Sequence, residues 1–313
     1  MKVLVNDGMH LKGIELLKTA GFEVDTVNIP QDQLPEKLPS YNAICVRSAT
    51  KVRTELIDQC PNLKVIGRGG VGLDNIDVDY AKSKGIAVVN TPSASSVSVA
   101  ELAFGHLFSV ARFLYKSNQH MPAEGHNEFK SLKKSYAKGF ELSGKTLGII
   151  GGGRIGQETA KIALGVGMKV LFVDPFVKNI SFELNIHNHT IPVSITPVPM
   201  EEMLNQADVI TLHIPFTGSA VLNSKEFDQM KDGAILINAS RGGTVNEDAL
   251  LEALDSGKVA AAGIDVYENE PKPRMDLLAH PNVSCSPHIG ASTKEAQEKV
   301  GIELANQLIE LLS

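Results

Sequence analysis

Thr146-Leu-Gly-Ile-Ile-Gly-Gly-Gly-Arg-Ile-Gly156, running on through a helical pattern at Gln157–Gly165 into Lys169-Val-Leu-Phe-Val-Asp174, is the stretch whose reading decides the fold. Thr146–Ile150 is a short apolar run of the kind that forms a buried parallel strand. Gly151, Gly153 and Gly156 follow in G-x-G-x-x-G spacing, and a second apolar run ends in Asp174. A strand, this turn, a helix and a second strand together form a dinucleotide-binding fingerprint. The glycines permit the tight turn, the approach of a pyrophosphate and close helix–strand packing. The helix start offers unpaired N–H groups to the phosphates. Asp174 lies where an acidic residue accepts from a ribose diol, and its charge disfavours a 2′-phosphate, so the expected cofactor is NAD.

Outward from this stretch, the N-terminal part repeats the same alternation. Strand-like runs at Lys2–Val5, Phe22–Val27, Ala43–Arg47, Val65–Gly67 and Ala87–Asn90 are separated by helical patterns at Leu11–Ala20, Arg53–Gln59 and Val78–Lys84. Such alternation predicts a parallel sheet with helices on both faces. The fold class expected for the whole chain is α/β, with two doubly wound parallel-sheet domains.

Two strand ends in the first part carry chemistry. Arg47 and Ser48 follow one strand, and Arg68-Gly-Gly-Val-Gly72 ends the next. Ligands of open α/β sheets bind at these carboxyl edges. Successive glycines free N–H groups to form an anion-binding nest at Gly70, Val71 and Gly72, with Arg68 adding positive charge. A solvated arginine and a flexible loop is the alternative.

Ser95 to about Met121 reads as one long helix, apolar over much of its circumference and therefore buried between domains or subunits. The stretch from Pro122 to Gly144 turns polar and basic, with Lys130, Lys133, Lys134 and Lys138. After Asp174 the pattern weakens. His187-Asn188-His189 has no further ligand at metal spacing, so no metal is expected. Three later strand ends supply Ser240 and Arg241, then Asp265 through Glu270, then Pro287-His288-Ile289-Gly290. An arginine can hold a carboxylate or keto oxygen. A histidine near neutral pKa can exchange a hydroxyl proton while hydride moves. A glutamate bonded to that imidazole fixes its tautomer and favours its protonated form.

Composition bounds the rest. The 313 residues are 43% hydrophobic and 21% charged with net charge −6, which speaks against nucleic-acid and membrane-surface roles. No apolar run reaches the ~18 residues of a membrane span. Met1–Asp7 enters a strand directly, which leaves no room for a signal peptide. Cys45, Cys60 and Cys285 are scattered and read as reduced thiols of a cytoplasmic protein.

The runs Gly151–Gly156, Ser240–Glu247, Gly263–Pro271 and Pro287–Gln297 resemble those of the D-isomer-specific 2-hydroxyacid dehydrogenases, and the resemblance spans nearly the whole chain. Val46–Val52 and Gly290–Gln297 resemble in particular the members that oxidise D-3-phosphoglycerate to 3-phosphohydroxypyruvate at the head of serine synthesis. The resemblance implies a Rossmann cofactor domain, 96–285, inserted in a flavodoxin-like substrate domain, 1–95 plus 286–313. It also implies a catalytic trio of Arg241, Glu270 and His288. It implies cofactor contacts at Gly151, Gly153, Arg154, Ile155, Gly156, Asp174, Ser240, Asp265 and Gly290. It places the substrate carboxylate at Gly70, Val71 and Gly72 and its phosphate at Arg47 and Arg68, with Ser48 beside them. Lys134 matches a basic position that can cross from a partner subunit of a homodimer built on the cofactor domain and the long helix. Ser95 stands where many relatives carry asparagine, and Leu132 where many carry an aromatic residue. Because the sequence stops at Ser313, a C-terminal sensing domain and serine feedback through it are expected to be absent. Two alternatives stand beside the phosphoglycerate reading: a glyoxylate or hydroxypyruvate reductase of the same family, and a non-catalytic NAD-sensing protein.

Overall fold

A computed structural model describes all residues, 1–313. The chain divides into two compact units, Met1–Ser98 with Ala291–Ser313, and Val99–Gly290.

The first unit contains β1 (Lys2–Val5), α1 (Leu11–Thr19), β2 (Glu23–Asp25), α2 (Leu34–Lys37), β3 (Ala43–Val46), α3 (Thr54–Asp58), β4 (Val65–Arg68), α4 (Val78–Ser83) and β5 (Ala87–Asn90). Its five strands are parallel in the order β2-β1-β3-β4-β5, the flavodoxin-like arrangement. The two-residue period of a strand sorts its side chains into two cores. Leu4, Ile44, Val46 and Ile66 pack on Leu34, Leu38 and Leu56. Val3, Val5, Ala43, Cys45 and Val65 pack on Leu17 of α1 and on the closing helix.

The chain then enters α5 (Ser96–Ala111) and α6 (Leu114–Ser135), whose axes are bent by 58°. One helix to about Met121 was the expectation. Instead Phe113 adopts a left-handed φ of 55°, and the Ala111 carbonyl is taken by the Phe140 N–H of the returning chain. The polar stretch after Pro122 is helical as far as Ser135. No single helix is long and apolar enough to cross a membrane.

The second unit continues with β6 (Thr146–Ile150), α7 (Arg154–Gly165), β7 (Lys169–Val173), β8 (Ile180–Ile186), β9 (His189–Ile195), α8 (Met200–Gln206), β10 (Val209–Leu212), α9 (Ser224–Gln229), β11 (Ala234–Asn238), α10 (Glu247–Asp255), β12 (Val259–Ile264), α11 (Met275–Ala279) and β13 (Val283–Cys285). Six strands form a parallel sheet in the order β13-β12-β11-β10-β6-β7. Strand order reverses between β6 and β10, the switch point at which dinucleotides bind. On one face Leu147, Ile149, Phe172 and Ile237 pack on Ala160 and Ala163 of α7 and on Phe104 and Leu107 of α5. On the other, Ile150, Ile210, Leu212, Leu236 and Ile264 pack on Met203, Phe227 and Leu250.

β8 and β9 form a separate antiparallel hairpin in the region where the sequence pattern weakened. His187 and Asn188 are its two-residue turn, with His187 at φ 53°.

The last helix, α12 (Lys294–Leu312), returns to the first unit and inserts Leu304 and Leu308 into its core. Thr293 caps it by accepting from Ala296 N–H at 3.1 Å.

Candidate active site

Each unit carries its own set of polar groups at the carboxyl ends of its strands. In the first unit, Val46 is the register partner of Arg68, so Arg47 and Arg68 leave adjacent strands. The loop after β3 is held by Asp7, whose carboxylate accepts from the N–H groups of Arg47 (2.6 Å) and Thr50 (3.1 Å). Asn75 donates to the carbonyls of Arg47 (2.7 Å) and Thr50 (2.6 Å). Arg68 is buried, with its guanidinium against Gly70 and an Nη2 donating to Ser48 Oγ at 3.4 Å. The glycine loop is fixed by Thr91 N–H donating to Gly70 O (3.0 Å) and Asn90 Nδ2 donating to Val71 O (2.5 Å). One expected amide is already used: Gly70 N–H donates to Arg68 O at 3.0 Å. That turn leaves Val71 and Gly72 as the donors of the nest. Lys134 lies on the exposed last turn of α6.

In the second unit, the glycine turn joins β6 to α7 as the motif requires. A Cβ on Gly156 would sit 2.1 Å from Gly151 O, so only glycine lets α7 start this close to the strand. Gly153 is the N-cap, with open space where its Cβ would be. The amides of Arg154, Ile155 and Gly156 occupy the first helical turn, which lacks intrahelical acceptors. Such a cradle suits a pyrophosphate. Asp174 ends the next strand and is locked by Gly152 N–H on Oδ2 and Phe176 N–H on Oδ1, both 2.9 Å. Ile180 of the hairpin covers Gly152.

The chemical groups come from three further strand ends. Asn238, at the end of β11, shapes the following turn by accepting from Ser240 N–H (3.1 Å) and Ser240 Oγ–H (2.8 Å). Arg241 projects from that turn, with Nη1 donating to Ser240 O at 2.7 Å. A Cβ on Gly242 would lie 1.8 Å from Tyr267 O, so this glycine lets the arginine turn abut the segment after β12. That segment carries Glu270, whose Oε1 accepts from Tyr267 N–H at 3.0 Å. Its Oε2 lies 2.8 Å from His288 Nδ1. The Tyr267 hydroxyl donates to Ser286 O at 2.9 Å and so ties the glutamate loop to the histidine loop. Burial raises the Glu270 carboxyl, but the His288 hydrogen bond and charge, the Tyr267 N–H and the Arg241 charge outweigh it and hold it below its ordinary value. The pair is half-exposed and open to a reactant.

Asp265 is almost fully buried and receives N–H groups of the histidine loop: Ile289 on Oδ1 and Gly290 on Oδ2, each 2.9 Å. Ser286 Oγ–H donates to Oδ1 at 2.5 Å. These bonds place residues 286–290 with the second unit, whereas the sequence reading began the returning segment of the first at 286. Two polar residues near this site escaped the sequence reading. His213, at the end of β10, has Nε2 within reach of Thr159 Oγ1 (3.0 Å) and Thr211 Oγ1 (3.3 Å), and burial pushes its pKa down to about 3. His106, inside α5, reaches the serines at the end of β13. Both lie in apolar runs that signal core alone.

Nicotinamide cofactors fit this geometry: a glycine cradle at a helix start, an acidic residue just past the neighbouring strand, and a histidine–glutamate pair on the same sheet edge. The model of the D-isomer specific 2-hydroxyacid dehydrogenase NAD binding domain matches residues 104–290. A hydroxypyruvate reductase of Thermotoga maritima is 44% identical, covering 99% of this chain and 98% of its own. A D-3-phosphoglycerate dehydrogenase of Archaeoglobus fulgidus is 41% identical over 99% of this chain, which spans only 57% of that relative's length. The crystal structure of a glyoxylate reductase from Paecilomyes thermophila matches with a TM-score of 0.84 and 30% identity, covering 99% of this chain and 95% of that one. The chain belongs to the D-isomer-specific 2-hydroxyacid dehydrogenases; it binds NAD(P) and is an oxidoreductase of small 2-hydroxy acids.

Proposed function

We propose that this dehydrogenase reduces hydroxypyruvate, and glyoxylate with it, to the corresponding 2-hydroxy acid. The observation that carries the reaction is the 2.8 Å contact between His288 Nδ1 and Glu270 Oε2, with Arg241 close enough to depress the same carboxyl. The cofactor supplies the hydride that adds to C2. His288, protonated and steadied by Glu270, gives its Nε2 proton to the keto oxygen as the hydroxyl forms. Arg241 engages the carboxylate or keto oxygen and stabilises the negative charge that develops there.

The choice of an unphosphorylated substrate reverses the expectation drawn from the sequence. It rests on the likeness to the hydroxypyruvate reductase along the whole of both chains, and on the first unit's anion site. There one buried guanidinium, Arg68, lies against the glycine loop that presents the Val71 and Gly72 amides. A guanidinium and two amides can together hold one carboxylate. Asp174, its oxygens oriented by two backbone amides, favours NADH over NADPH.

Oxidation of D-3-phosphoglycerate is the second reading. Arg47, beside Arg68 on the neighbouring strand end, favours it, because a phosphate needs a further cation. The two readings separate in kcat/KM for hydroxypyruvate, glyoxylate and 3-phosphohydroxypyruvate, followed by NADH absorbance. The main reading requires hydroxypyruvate to exceed the phosphorylated keto acid. A preference for the phosphorylated compound establishes the second reading, and absence of turnover with every keto acid removes both.

Phe108, Leu114, Met121 and Phe129 of α5 and α6 are exposed. A second copy of the chain is the proposed cover for them, with Lys134 at the end of the same helical arm available to a partner's substrate.

A further inference from the structure

His106 is a buried histidine inside α5, outside every motif that marks the site. Its Nδ1 lies 3.0 Å from Ser284 Oγ and its Nε2 lies 2.7 Å from Ser286 Oγ. A Cβ on Gly263 would come within 2.5 Å of His106 Cβ, so the glycine of β12 is what admits the ring. Burial pushes the imidazole below its ordinary pKa, against the pull of Asp265.

The direction of every hydrogen bond in this cluster follows from its last member. The Asp265 carboxylate only accepts, so the Ser286 hydroxyl donates to it. Ser286 Oγ must then accept from His106 Nε2–H. The neutral ring has a single proton, so Nδ1 accepts from the Ser284 hydroxyl. Three donors therefore point one way, from Ser284 through His106 and Ser286 to Asp265. The same carboxylate accepts the amides of Ile289 and Gly290, which flank His288 on its C-terminal side. Oδ1 takes two donors and Oδ2 one, so Oδ2 keeps a lone pair for a further donor.

We propose that His106 is a positioning residue of the dehydrogenase: acting through Ser286, it orients the Asp265 carboxylate toward a carboxamide donor of the cofactor and fixes the loop that carries His288. The proposal rests on the hydride-transfer reading of this site and not on which keto acid is reduced. The Nε2–H on the Ser286 oxygen fixes the position of that hydroxyl and polarises it, which strengthens and aligns the bond it donates to Asp265. An apolar residue at position 106 would also leave the buried Ser284 hydroxyl without its acceptor.

The test compares His106→Leu, which removes both ring nitrogens, with His106→Gln, whose amide reaches the Nε2 position. NADH affinity is measured by fluorescence without any keto acid, so failure of the substrate reading leaves this arm intact. In His106→Leu the NADH dissociation constant rises about threefold to tenfold and kcat falls about tenfold, with KM for the keto acid little changed. The primary isotope effect with deuterated NADH increases, and His106→Gln recovers most of each loss. Nitrogen NMR of the wild-type ring at pH 7 shows the neutral Nε2–H tautomer. Ser286→Ala reproduces the defect, and the double variant His106→Leu/Ser286→Ala loses no more than either single one, because the residues act in series. Wild-type NADH affinity and isotope effect in His106→Leu overturn the proposal, as do an Nδ1–H tautomer, equal losses in the Leu and Gln variants, or additive losses in the double variant.

Discussion

His288 and Glu270 meet through Nδ1 and Oε2 at 2.8 Å, although eighteen residues and two strand ends separate them. The imidazole thereby turns its other nitrogen outward. The glutamate is held from behind by Tyr267 N–H, so the pair has one orientation rather than several. A histidine so placed can pass a proton to a reactant, and the carboxylate holds the ring in one orientation.

Replacing Glu270 by Gln tests that coupling. Without the carboxylate the imidazole loses the acceptor that fixes its orientation, and kcat for keto-acid reduction at neutral pH falls about tenfold to 100-fold while NADH affinity is kept. Steady-state rates and fluorescence titration check this. A wild-type kcat denies Glu270 the role.

Folding stability carries a separate signature of the same group. Glu270 has a depressed folded-state pKa, so its contribution is present above its unfolded value and lost as pH falls through the folded one. Thermal melts at pH 7 and pH 4 show a smaller gap for Glu270→Gln than for the wild-type protein. An identical gap contradicts the coupling.

Asp174→Asn removes the negative charge past β7 and keeps one side-chain oxygen as an acceptor for the Gly152 or Phe176 amide. The ratio of kcat/KM for NADPH to that for NADH rises about tenfold to 100-fold. An unchanged ratio means that discrimination lies elsewhere.

At Gly156 the prediction concerns backbone packing. A methyl group here meets Gly151 O at 2.1 Å, and backbone cannot yield as a side chain can. Gly156→Ala therefore displaces the helix start and weakens NADH binding about tenfold or more, as read by fluorescence titration. Wild-type affinity contradicts the cradle geometry.

The exposed face of α5 and α6 predicts a dimer. Phe108→Glu, with Phe108 41% exposed, places a charge in that face and shifts the mass measured by light scattering from two chains to one. A wild-type protein that runs as a monomer removes the premise.

Much of this was legible in the sequence because the informative residues are local. The glycine turn, the strand that precedes it and Asp174 declare themselves within thirty residues, and Arg241, Glu270 and His288 each lie a few residues past a strand. The hairpin of β8 and β9 was legible only in part. Ile180, Phe182 and Leu184 alternate as a strand should, but the hairpin pairs with itself and belongs to neither parallel sheet. The break at Phe113 left no mark, since a left-handed φ there comes from tertiary contacts and not from glycine. Gly70 looked like a free donor, yet its own turn uses the amide. His106 was invisible because its partners lie about 180 positions away.

The most direct measurement is single-turnover oxidation of NADH by hydroxypyruvate in the wild-type protein and in His288→Gln. The account predicts that the rate falls by about 10²- to 10⁴-fold in the variant while NADH affinity is unchanged. A variant that oxidises NADH as fast as the wild-type protein contradicts the assignment of the proton to His288.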